Sequence, residues 1–249
     1  MSTTRLCERE GIRGSLSLSV TPEGYDLNNG GVVLEAAMVP GYFRHSETEK
    51  GFDPDRPDVK RPGYTLENIR KALDGVVPPH GFKGPSGCTG FDIFAGYAVL
   101  DALVANPDRH EDNWAVLVPR LERSPMELAP SFDHGGALGH QLLDGRREQL
   151  INNENALLRW ASKGMAQRFE HVGKPSTTLV EHAAAAASMC SDPAVQWWKE
   201  RLRSIDLESL QETLTATRVS GMSVATVTFI SQLLSLNLRR LRDAIRNTS

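Results

Sequence analysis

The stretch Asn106-Pro107-Asp108-Arg109-His110-Glu111-Asp112-Asn113 constrains this chain more than any other. Ahead of it, Phe91, Phe94, Ala98, Leu100 and Leu103 recur near the helical period, which predicts a helix over 91–105. The residue before a proline disfavours the helical region, so Asn106-Pro107 stops that helix. Behind it, Trp114-Ala115-Val116-Leu117-Val118 is a short apolar run closed by Pro119, and 127–132 returns after a turn over 120–125. The two runs read as a β-hairpin. A strongly polar octapeptide is therefore held between the end of a helix and the foot of a hairpin. Functional groups concentrate on such loops, because the scaffold fixes them and leaves them accessible.

The flanks extend the same pattern. Residues 1–40 read as short strands and turns, with Ser15 to Val20 alternating at a period of two. The polar, proline-bearing stretch 44–63 and the segment 77–90 read as loops. Lys83 stands near glycines in the second, but neither GxxxxGK[ST] nor GxGxxG occurs. Thr65 predicts the cap of a helix over 65–73, and helices are expected over 155–165, 176–189, 192–205, 207–217 and 223–246. Asp192 before Pro193 reads as a cap and first turn. In the last helix Val227, Ile230, Leu234, Leu238, Leu241 and Ile245 form one apolar stripe. The expectation is an α+β, mainly helical fold in one domain over 1–249, with a strand-and-loop part over 1–63 and a catalytic, helical part over 64–249.

A net charge of -3 gives no field that would draw the chain to nucleic acid or an anionic membrane. Arg239, Arg240, Arg242 and Arg246 read as a solvated helix face. Cys7, Cys88 and Cys190 are too scattered for a zinc or redox motif and suit a reducing compartment. No run of 18 apolar residues and no signal peptide occurs, so a cytoplasmic protein with no membrane partner is expected.

The polar octapeptide suits phosphoryl transfer. That reaction needs a carboxylate to orient and deprotonate the attacking hydroxyl, and oxygen ligands that hold magnesium against the phosphates. Kinase catalytic loops place a metal-binding Asn five positions after the base Asp, and Asn113 stands five positions after Asp108. A second metal carboxylate should return on a nearby strand end. The hairpin brings Asp133 back beside Asn113, with neighbouring strands roughly 5 Å apart, so the two can share one ion. Gly135 and Gly136 then let the chain turn away.

These same residues carry a resemblance. Asn106, Asp108, Arg109, His110 and Asn113, followed by Leu128-Ala129-Pro130-Ser131-Phe132-Asp133, resemble the HipA-like Ser/Thr kinase family. The similarity extends through Phe94-Ala95-Gly96-Tyr97 and Leu100-Asp101-Ala102. It also takes in Arg13-Gly14-Ser15-Leu16-Ser17, Pro22-Glu23-Gly24, and Arg218-Val219-Ser220-Gly221-Met222-Ser223 with the final helix. The resemblance implies a protein-kinase-like large lobe of HipA type that uses ATP and Mg2+ on protein hydroxyls. Asp108 would be the base, Asn113 and Asp133 the metal ligands, and Arg109 and His110 supports that fix the loop or touch phosphate. Members include toxins restrained by an antitoxin partner.

The family's small lobe would precede residues 10–40, and Lys50, Lys60, Lys71 and Lys83 are expected on loops or helices rather than on a phosphate-binding strand. A small-lobe or antitoxin partner chain is therefore expected, or a pseudokinase that only binds. A zinc hydrolase using His110 and His134 is a third reading, without the HExxH pattern. His134 is given no role, and Trp160, Trp197 and Trp198 read as packing residues.

Overall fold

The computed structural model describes residues 4–44, 55–121, 124–175, 177–216 and 222–246. Lys50 with the rest of 45–54, turn positions 122–123, Ser176, Thr217 and Arg218-Val219-Ser220-Gly221 lie outside the described residues.

Strands β1 (Thr4–Arg9) and β2 (Ile12–Ser17) form an antiparallel ribbon with Arg9 opposite Ile12. Glu10 and Gly11 between them both have positive φ, 54° and 78°, the left-handed turn that matches strand twist. The strand thus lies earlier than the 15–20 alternation suggested. Next come β3 (Tyr25–Asn29) and an unanticipated helix, α1 (Gly30–Ala36). Two leading glycines and β-branched valines hide it. Its N-cap Asn29, accepting from the Val32 amide, and the burial of Leu34 decide for helix. A Cβ on Gly30 would run into the Trp114 indole, so the helix start needs glycine there.

Strand β4 (Val59–Lys60) precedes α2 (Leu66–Ala72), which Thr65 caps as anticipated by accepting from the Asn68 amide. Helix α3 (Gly90–Val104) opens with a Thr89/Asp92 capping box and is buried on nearly every side. Its C-cap, Ala105, is left-handed with φ 53°, and the helix ends where Asn106-Pro107 required. A 3-10 turn (Glu111–Asn113) leads into β5 (Ala115–Pro119), which pairs antiparallel with β6 (Glu127–Leu128) in a hairpin whose second strand ends four residues before the expected 132.

The hairpin is not alone. Strand β3 joins the other edge of β5, with Asn29 opposite Ala115, giving the order β3-β5-β6. Val77 adds a parallel bridge to Glu127, so the segment 77–90 begins on the sheet rather than as loop.

Helices α4 (Asp144–Ile151) and α5 (Glu154–Ala161) follow; the sequence suggested only the second, running four residues past its observed end. Strand β7 (His171–Val172) pairs with β4, which puts Lys60 on a strand, contrary to expectation. Helix α6 (Leu179–Ser188) has its own Thr178/Glu181 capping box. In α7 (Asp192–Arg203) the cap position belongs to Ser191, and Asp192 is the first helical residue instead. Helices α8 (Leu207–Ala216) and α9 (Val224–Arg246) complete the described chain.

Helix α9 buries Ile230, Leu234, Leu238, Leu241 and Ile245, the anticipated stripe, against α3, α4 and α6. Gly96 of α3 admits the Trp198 ring, whose Nε1 donates to the Asp92 carbonyl at 2.8 Å. Arg242 donates to the Leu202 and Arg203 carbonyls at the end of α7, while Arg239 pairs with exposed Glu154. Among the described residues no helix is long and apolar enough to cross a membrane.

Candidate active site

The octapeptide is braced by buried polar groups. Asp101, on the last turn but one of α3, lies 2% exposed in an otherwise apolar face. Its carboxylate accepts from Arg109 Nε at 2.7 Å and Nη2 at 2.8 Å, and from Asn106 Nδ2 at 2.9 Å. Burial works against the Arg109 charge, but the hydrogen bond and attraction to Asp101 outweigh it and hold the guanidinium above its usual value. Arg109 Nη1 then donates to the carbonyls of both Asn113 (2.5 Å) and Phe132 (3.3 Å). One guanidinium thereby ties the two feet of the hairpin together beyond the last ladder bond, Ala129 N to Ala115 O. Its donors are taken up by protein, which ties the loop to α3 and to the hairpin feet.

Tyr64 accepts from Trp114 Nε1 at 2.9 Å and donates to the Arg109 carbonyl at 3.3 Å, bracing the loop from beneath. Burial pushes the Tyr64 phenol far above its ordinary range, so it stays a neutral donor. Arg61 pairs with buried Glu111 at 3.1 Å and steadies the 3-10 turn. His110 caps that turn, its Nδ1 accepting from the Asp112 amide at 3.2 Å, which assigns the ring proton to Nε2.

Asn113 is buried, and its Nδ2 donates to the Asp108 carbonyl at 2.7 Å. That bond commits the amide nitrogen inward and leaves Oδ1, an oxygen, with no donor on it among the described residues. Asp133 is exposed and sits in the left-handed region with φ 53°, a conformation that costs a non-glycine residue about 1 kcal/mol or more and that clusters at functional sites. Gly135 and Gly136 do not supply the turn; neither has positive φ. Gly136 is needed for close approach, since a Cβ there would meet Asn106 Oδ1 at 3.0 Å and Asp108 Cβ at 3.4 Å. His134, its pKa lowered first by burial and then by Arg109, shares a 2.9 Å hydrogen bond with Ser131.

Asp108 and Asp133 line one cleft of about 710 Å³, within the range of ligand sites. Asn113 stands behind Asp108, outside the lining. The far wall comes from the end of α5 and the loop beyond it, with Trp160, Lys163, Gln167 and Arg168. Trp160 packs on Phe229 at 5.3 Å as well as facing the cleft. Arg168 Nε donates to Asp108 Oδ1 at 2.7 Å, and its Nη2 forms an ion pair with the same oxygen at 2.5 Å.

A sequence search for site residues misses several of these. The single acid in the otherwise apolar run 93–104 was the available signal for Asp101. Nothing in the sequence links Arg168 to Asp108, and the bracing roles of Tyr64 and Arg61 are likewise silent there.

No protein-family model and no curated protein matches the chain. In structure it is similar to Helicobacter pylori proinflammatory kinase CtkA, with a TM-score of 0.67 over 98% of this chain and 78% of that one, at 17% identity. The fold is kinase-like. At that identity the likeness concerns architecture, and the chemistry rests on the side chains above.

Among the described residues no three His, Cys, Asp or Glu side chains gather as a metal-binding group. Asp133, in the cleft, and Asn113, behind it, each offer a hard oxygen donor, the type of ligand that magnesium takes. Zinc sites are built from more nitrogen and sulfur ligands.

Proposed function

We propose that this chain is an ATP- and Mg2+-dependent kinase of HipA-like type that phosphorylates a Ser or Thr hydroxyl on a protein. The observation that carries the proposal is the shared cleft of Asp108 and Asp133, with Asn113 bonded to the Asp108 backbone behind it. Asp108 is the general base: Oδ1 is held by Arg168, and Oδ2, with no partner among the described residues, accepts the acceptor's hydroxyl proton. Asn113 Oδ1 and the Asp133 carboxylate hold the metal. Bound Mg2+-ATP supplies the phosphoryl group and spreads its charge. Asp101 and Arg109 position these groups without touching substrate.

General-base catalysis contributes roughly 10²–10⁴-fold, so Asp108→Ala should lower phosphate transfer to a protein acceptor by about that factor. Transfer of radiolabelled phosphate by the Asp108→Ala protein at the wild-type rate would end this reading.

A second reading, a subunit that works with a partner chain, draws on the β1–β2 ribbon. It presents Ile12, Leu16 and Leu18 at 76%, 69% and 70% exposure, and two strands alone are marginally stable in water. Co-purification of a stoichiometric partner, lost on Ile12→Ser with Leu16→Ser, tests it; a monodisperse monomer that transfers phosphate alone argues against it.

A further inference from the structure

The cleft has a basic wall to which the reading above assigns no substrate. Arg168 donates from Nε to one oxygen of Asp108 and pairs with it through Nη2, and among the described residues its Nη1 has no partner. Its place does not depend on that pair. The next residue, Phe169, is buried and stacked on Tyr64 at 4.9 Å, and the Glu170 amide donates to the Tyr64 carbonyl at 2.9 Å. The backbone at residue 168 is therefore anchored on the cleft wall independently of Asp108. The pair itself is partly solvated, 35% and 37% exposed, and such pairs contribute little to stability.

Lys163 lies on the same wall, exposed, with no ion pair among the described residues. Trp160 and Leu142 add apolar surface beside it. The cleft's own carboxylates are already engaged in the kinase reading: Asp108 with Arg168 and the acceptor hydroxyl, Asp133 with the metal. Two cations with unused donors then line the same cleft as the base. A neutral acceptor would leave Lys163 and the Arg168 Nη1 without a counter-charge, whereas an anion beside the hydroxyl would receive them.

We propose that this cleft is the acceptor site, and that it selects a hydroxyl flanked by an anionic group. The acceptor class is a protein serine or threonine next to an acidic or phosphorylated residue. The hydroxyl lies at Asp108 Oδ2, and the neighbouring anion is taken by Arg168 Nη1 and the Lys163 ammonium. This rests on the phosphotransfer reading, but its binding test does not need turnover.

Fluorescent serine peptides flanked by Asp, phosphoserine, Ala or Arg are titrated with the full chain and read by anisotropy. The Asp or phosphoserine peptides should bind about tenfold or more tightly than the Ala peptide, a margin of about 1.4 kcal/mol. A margin confined to phosphoserine and one shared with Asp both support the site and tell the two anions apart. Lys163→Glu, at an exposed position, should erase the margin or turn it toward the Arg peptide. Arg168→Gln, checked by thermal melting, should reduce it as well. Equal binding of the Asp, phosphoserine and Ala peptides, a preference that survives both substitutions, or no binding of any anionic peptide at millimolar concentration overturns the proposal. Phosphate transfer from Mg-ATP to the same peptides is read in parallel. Transfer with no anionic preference sinks the acceptor inference alone; anion-selective binding with no transfer sinks the kinase reading and leaves the anion site standing.

Discussion

Asp101→Ala should cost this protein a large part of its stability, although residue 101 is outside the cleft. Both members of the Asp101–Arg109 pair are 3% exposed, so truncation leaves a guanidinium buried without its counter-ion. Breaking such a pair costs about 3–5 kcal/mol. The Asn106 amide loses its acceptor too, adding about 1 kcal/mol. Against a typical total of 5–15 kcal/mol this is severe. For a chain of this length it corresponds to a melting temperature lowered by roughly 8–24 °C. Urea unfolding followed by tryptophan fluorescence measures it directly, with Trp114 at the base of the loop as a reporter. Removing both charges, Asp101→Leu with Arg109→Met, should recover most of the loss, because no buried ion is then left alone. Phosphate transfer should not recover with it: the Asn113 and Phe132 carbonyls would still lack the donor that joins them. An Asp101→Ala protein within 1 kcal/mol of wild type would refute the account of how the loop is held.

Three further outcomes are expected. Asp133→Ala should abolish the Mg-dependent thermal shift with ATP, about 2.7 kcal/mol of stabilisation at a hundredfold excess over Kd; an undiminished shift would remove Asp133 from the metal site. His182, buried against Phe169 with Nε2 unpartnered among the described residues, has its pKa lowered by burial to about 4. The folded state holds it neutral while the unfolded chain protonates near 6.5, so its contribution is complete above about pH 6.5 and is lost as pH falls toward 4, by roughly 3 kcal/mol. A His182→Phe protein with the same stability slope between pH 6.5 and 4 would contradict this. Gly136→Ala should push on Asn106 and Asp108, costing about 1–3 kcal/mol and slowing transfer; a fully active, equally stable Gly136→Ala protein would show that the contact can relax.

What could be read along the chain was local. The stop of α3 at Asn106-Pro107, the Thr65 cap of α2, the β5–β6 hairpin and the stripe of α9 each depend on residues within a few positions of one another, where backbone sterics and periodicity act directly. That Asp108 and Asp133 line one cleft follows in the same way, since one loop and one short hairpin join them. Helix α1 was missed because Leu34 burial and the Asn29 cap outweigh the propensities of two glycines and two valines.

The amino-acid order alone therefore determined where elements start and stop and which carboxylates can stand near a hairpin foot. Only the folded chain decided how those groups are held and what they face. Asp101 meets Arg109 because a buried charge must find its counter-ion, and Arg168 meets Asp108 across sixty residues because Phe169 and Glu170 dock on Tyr64. Such partnerships are set by burial and long-range packing, and no local spacing encodes them.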